Sequence, residues 1–198
     1  LCVIATDVNV TVESPYTITY DLGGAGTVFT QRKIASGGEG TGRARMIIAT
    51  ATGAPVTGIS KNIRLATTTS TLAAYVAVVA NLPPWWSGAV GNVDGSAANG
   101  AVAAYTGTSI VTSGRNSLLV GCGGAKDGTL GALAISGQGG PWNLLAPQLT
   151  SAATAAAYQG LFASKLVSRS GATVDTAMSM VSGSTSTDWC AGQIEFRP

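Results

Sequence analysis

The chain has 198 residues, of which 45% are hydrophobic, 10% are charged and 27 are glycine; its formal net charge is +2 and it contains no histidine. A typical soluble domain carries about a quarter charged residues, so this surface must be built largely from neutral Ser, Thr, Asn, Gly and Ala, which suits packing against neighbours in an assembly. The small, scattered positive charge excludes the basic stripe that a nucleic-acid partner requires, and the most apolar window, "LAAYVAVVANLPPWW", runs about a dozen residues before two prolines, short of the roughly twenty of a bilayer span.

The chain opens on strand-like alternation at Val3–Val12 ("VIATDVNVTV"), Tyr16–Asp21 ("YTITYD") and Val28–Ile34 ("VFTQRKI"). The glycine-rich "GGAG" and "SGGEGTG" turn between these runs, which therefore read as consecutive hairpins. "RARMIIATAT", "ISKNIRLATTT" and "TLAAYVAVVANL" continue the pattern, the last as an unbroken apolar run suited to burial on both faces. After "LPPWW", the small residues of "SGAVGNVDGSAANG" predict a loop or a weak strand. Strand character returns in "AVAAYTGTS" and "NSLLVGCGG", and one strand is expected within the glycine-punctuated "AKDGTLGALAISGQGG". "AAAYQGLFASKLVS" reads as a strand despite its alanines, because Ala156, Tyr158, Leu161 and Phe162 share no helical face and Gly160 interrupts the middle. "GATVDTAMSMVSG" and the terminal "DWCAGQIEF" follow. Roughly ten strands with short turns and no βαβ alternation predict an all-β chain, an antiparallel β-sandwich of jelly-roll type, folded as a single domain over residues 1–198.

An apolar, alternating ending implies that the last strand is a structural member, with Trp189 and Phe196 alternating with Cys190 and Glu195 to turn one apolar face inward. Residue one is Leu rather than Met, as expected of a processed or trimmed chain.

Candidate chemistry is sparse. Cys2, Cys122 and Cys190 have no CxxC spacing, which argues against a metal-thiolate site, and no cofactor is implied. Cys122 and Cys190 lie in strand-like runs, so a Cys122–Cys190 disulfide is open if those strands are neighbours; buried thiols are the commoner outcome. Without histidine the usual general base is missing. Asp127 and Asp188 are the carboxylates to weigh as a glycosidase-like pair, but Asp-Gly is ordinary turn chemistry and Asp188 simply opens the last strand. No G-x-S-x-G elbow occurs, and neither "GQGG" nor "GCGG" is followed by the Lys-Ser/Thr of a phosphate loop. The expectation is a protein that is not an enzyme. Trp85 and Trp86 in "PPWW" are the candidate interaction surface, since exposed tandem rings stack on sugars or anchor protein contacts.

The C-terminal half contains "NSLLVGCGGAKDG", "GPWNLLAP" and "AAAYQGLFASKLVSRSGATVDTAMSMVSGSTSTDWCAGQIEFRP". This succession of an "LLVG" strand, a Gly-Trp loop, an aromatic-bearing strand, a "GATV" turn and a closing "W.A..I.F" strand resembles the jelly-roll or lectin-like β-sandwiches of tailed-bacteriophage virion proteins and some bacterial surface proteins. The resemblance covers about the last hundred residues and departs from the pattern at the cysteines and at "PPWW". It implies a structural or adhesive role in the virion, an extracellular particle, without reaction or cofactor, and its matching positions Trp142, Trp189 and Phe196 are architectural. The expected function is a capsid decoration or head-associated protein whose partners are copies of itself or other virion proteins. Glycan or receptor binding through Trp85 and Trp86, or assembly into an extracellular filament, is the alternative.

Overall fold

The computed structural model describes residues 2–9, 17–21, 27–28, 30–37, 44–50, 62–66, 71–79, 89–102, 104–106, 109–126, 133–136, 141–144, 149–150, 158–174, 177–180 and 186–198. Its strands in chain order begin with β1 (Cys2–Asn9), β2 (Thr17–Asp21), β3 (Thr27–Val28), β4 (Thr30–Gly37), β5 (Ala44–Thr50) and β6 (Asn62–Ala66). There follow β7 (Thr71–Val79), β8 (Ala89–Val102), β9 (Ala104–Thr106), β10 (Ile110–Val111), β11 (Ser117–Lys126) and β12 (Leu133–Ser136). The last are β13 (Asn143–Leu144), β14 (Leu149–Thr150), β15 (Tyr158–Val167), β16 (Thr173–Val174), β17 (Ala177–Met180) and β18 (Ser186–Arg197). The described chain is all-β, every pairing is antiparallel, and no helix occurs among the described residues.

The largest sheet runs β13-β15-β11-β18-β8, with β14 also paired to β15. A four-stranded sheet runs β4-β5-β1-β7, and its strands lie against β8, β18, β11 and β15 respectively. Two of the expected hairpin pairings occur, β2 with β3 on either side of "GGAG" and β4 with β5 on either side of "SGGEGTG", but the first strand does not pair with the second. β1 pairs with β5 and β7, while β2 pairs with β3 and β6 in a separate sheet. Hydrophobic alternation marks which face a strand buries; it does not specify which strand completes the ladder.

The terminal strand is pinned on both sides: β18 pairs with β11 from Asp188 to Phe196 and with β8 from Ser186 to Arg197. Pairing parity corrects the expected single inward face. Phe196, Ile194 and Cys190 share one face with Val120 and Cys122, whereas Glu195, Gln193 and Trp189 share the other with Leu119. Both faces are covered, since Cys190, Ala191, Gln193, Ile194, Glu195 and Phe196 are all buried. On the Glu195 face, Leu119, Ala163 and Val167 pack with Ile110, Trp142 and Val174, apolar burial that drives the loops onto the sheet. Lys165 lies over the Trp142 ring at 5.7 Å from its centroid, so a buried cation meets an aromatic face.

"SGAVGNVDGSAANG" holds most of β8, the longest described strand, rather than a loop. Its small residues carry weak local preference, and the ladder to β18 supplies the hydrogen bonds that keep it extended. Lys33 of β4 pairs with Asp94 of β8 at 2.7 Å. Partial burial raises the Asp94 carboxyl, but the Lys33 ammonium and the Gly95 N–H outweigh it and hold the group below its ordinary range.

Candidate functional site

The most concentrated polar chemistry in the described residues lies at one end of the large sheet, where β8 and β11 begin and β15 and β18 finish. Between β18 and β8 the register slips: Ile194 faces Val93 and Phe196 faces Val90, so Glu195 stands opposite both Gly91 and Asn92. This bulge turns the Asn92 N–H toward the Glu195 side chain. A Cβ on Gly91 would lie 2.2 Å from Glu195 Oε2, so glycine at this position is what lets the carboxylate approach the backbone.

Glu195 is fully buried, and an ionised carboxylate there is costly unless its oxygens are filled by donors. Five donors fill them. Asn92 N–H donates to Oε2 at 3.0 Å, Ser113 N–H to Oε1 at 2.9 Å, and Gly114 N–H to Oε1 at 3.1 Å. The Ser113 hydroxyl donates to Oε2 at 2.8 Å and the Ser117 hydroxyl to Oε1 at 2.6 Å. Burial alone would raise this carboxyl, but the Ser117 hydroxyl, the Asn92 N–H and both Ser113 donors prevail and bring it down to about 2. At neutral pH the group has no proton to give and its lone pairs are occupied, so it is unsuited to general acid or base work. What it does is fasten loop 112–117 to the terminal strand.

A second loop locks onto the first. Thr112 N–H donates to the Ala172 carbonyl at 2.9 Å and Gly171 N–H to the Thr112 carbonyl at 2.7 Å. The Thr112 hydroxyl donates to the Arg169 carbonyl at 2.9 Å and accepts from Ala172 N–H at 3.0 Å. Asn92 Nδ2 donates to the Val111 carbonyl, tying the same loop to β8. Tight turning is supplied by Asn116 and Gly171, both in the left-handed region with φ of 56° and 75°. Two clefts open over the joined loops: one of about 340 Å³ lined by Arg115, Ser168, Arg169 and Ser170, and one of about 390 Å³ lined by Ser113, Gly114, Arg115, Arg197 and Pro198.

No protein-family model, no curated protein and no solved structure matches this chain.

Of the residues singled out in the sequence, Trp85, Trp86 and Asp127 lie outside the described residues. Asp188 sits in β18 opposite Lys126 on one side and Asn99 on the other. Cys122 and Cys190 are buried thiols on neighbouring strands. The register sets Cys122 against Gly192 and Cys190 against Gly124, a diagonal placement rather than a facing pair. Diagonal positions in an antiparallel ladder stand about 7–8 Å apart, beyond the usual reach of a disulfide; Cys190 Sγ instead makes a long contact of 3.9 Å to the Gly124 carbonyl. Trp142 is buried, in keeping with a packing role, and Trp189 is half-buried.

Sequence reasoning took Glu195 as one member of an alternating strand and passed over "TSGRNS". Its donors stand roughly eighty to one hundred positions away in the chain. A lone carboxylate inside "CAGQIEF" was the available signal, since a charge in an apolar strand demands partners; nothing local names them.

Proposed function

We propose that the chain is a non-enzymatic structural protein of a bacteriophage virion, a capsid decoration or other head-associated protein built as a jelly-roll β-sandwich. The observation that carries this reading is the Glu195 lock. The most strongly perturbed carboxylate among the described residues is wholly engaged in bracing two surface loops against a central strand, which is scaffolding and not chemistry. The four-stranded sheet lying along β8, β18, β11 and β15 supports a two-layered architecture. A chain with only 10% charged residues that also exposes Val111, Leu144 and Leu166 is suited to contacts with copies of itself or with other virion proteins.

Cryo-electron microscopy of the native particles tests it. The expected result is density for this fold repeated at fixed positions of the head lattice. A helical fibre, or the chain recovered only as free monomers, rejects the assignment.

A further inference from the structure

We propose that the loop end of the large sheet is a binding site for a phosphate group, gripped by Arg115 and Arg169 with the hydroxyls of Ser168 and Ser170. The inference goes beyond the structural role proposed above and stands independently of it.

Charge is the first argument. Among the described residues this end gathers three cations, Arg115, Arg169 and Arg197, and one carboxylate, Glu195. Glu195 cannot neutralise the arginines from the surface, because it is buried and its oxygens are taken by Asn92, Ser113, Gly114 and Ser117. Arg115 and Arg169 are exposed, and among the described residues neither guanidinium has a carboxylate partner.

Geometry is the second. The two arginines line one cleft of about 340 Å³, from chain segments more than fifty residues apart, together with two serine hydroxyls. The segments are held in place by the Thr112 and Ala172 hydrogen bonds and by the Glu195 lock, so the backbone that bears the donors is braced before any ligand arrives. Guanidinium forks match tetrahedral oxyanions in a bidentate manner; the Ser168 hydroxyl supplies a further donor, and the Ser170 hydroxyl does so on giving up its long 3.5 Å bond to the Ser113 carbonyl. Arg115 also lines the neighbouring cleft with Arg197 and Ser113. Two adjoining basic seats sharing one arginine suit a ligand that carries its phosphate on a larger body, as a sugar phosphate does.

The test is an NMR titration of the full chain at low ionic strength with inorganic phosphate, glucose 6-phosphate and glucuronate, following the amides of residues 168–171. Saturable shifts at these amides are expected with both phosphates. Arg115→Gln or Arg169→Gln is expected to weaken binding about tenfold, as loss of one charge-assisted contact does. Arg64→Gln, in β6 of a different sheet, leaves it unchanged. Both site arginines are exposed, so the variants should melt as the parent does, which separates lost binding from lost fold. Tighter binding of glucose 6-phosphate than of inorganic phosphate identifies a sugar phosphate as the source; equal binding identifies the free ion. Absence of saturable shifts with either phosphate, parental affinity in both arginine variants, or glucuronate binding as tight as glucose 6-phosphate overturns the proposal.

Discussion

Glu195 concentrates the residue-scale physics of this protein. Its carboxyl titrates near 4.3 in an unfolded chain and at about 2 when folded. A depressed folded value means that the contribution to stability is complete above the unfolded pKa and is lost as pH falls toward the folded one. Acid should therefore remove on the order of 3 kcal/mol between roughly pH 4.5 and pH 2. Glu195→Gln replaces one acceptor oxygen by an NH₂ that faces the Ser113 or Ser117 donors. We expect it to cost about 3 kcal/mol, a fall in melting temperature of roughly 6–12 °C for a chain of this size. It should also flatten the acid limb. Thermal melts of both proteins across pH 2–7 measure this, and an unchanged acid limb in the variant would show that other groups control acid stability. Gly91→Ala probes the same lock from the opposite strand. Its methyl would lie 2.2 Å from Oε2, and five donors resist the side chain's retreat, so a loss of about 2 kcal/mol or more is expected in denaturant unfolding; a neutral effect would mean that the Glu195 cage is loose.

At the scale of elements, β18 is the organising member. It sits between β11 and β8, carries the carboxylate that anchors loop 112–117, and contributes Gln193, whose amide donates to the Val174 carbonyl at 2.7 Å. Removing it strips ladder partners from two long strands and exposes Leu119 and Val120. A chain ending at Ser184 should accordingly show no cooperative thermal transition and rapid proteolysis of the β8 and β11 segments, read by circular dichroism and limited digestion. A truncated chain that melts cooperatively would demote β18 to an accessory strand.

At the scale of the whole molecule, burial protects what is packed against the large sheet. Cys122 and Cys190 are fully buried on the face of the large sheet that also bears Val120, Ile194 and Phe196. Reaction of these two thiols with an aromatic disulfide reagent should then proceed only as fast as global opening, and should accelerate together with loss of the circular dichroism signal in denaturant. Fast modification of either one under native conditions would reveal a local opening of β11 or β18.

Strand identity was legible in the amino-acid sequence wherever a local preference was strong. "NSLLVGCGG", "AAAYQGLFASKLVS" and "DWCAGQIEF" all hold described strands, because apolar and β-branched residues bounded by turn formers favour extended backbone whatever lies beside them. β8 was legible only as a loop or a weak strand, since Gly, Ala, Ser and Asn express little preference until β18 offers a ladder. Of the hairpins expected at the start of the chain, β2–β3 and β4–β5 form, whereas β1 finds β5 and β7 instead of β2, because its partner choice is a long-range contest among similar strands. The candidate site belongs wholly to this second category. Glu195, Ser113, Arg115 and Arg169 are individually unremarkable polar residues in the sequence. Tertiary structure made one of them a sealed carboxylate and left two as exposed cations with no carboxylate partner among the described residues, because burial and charge balance depend on what surrounds a group in space.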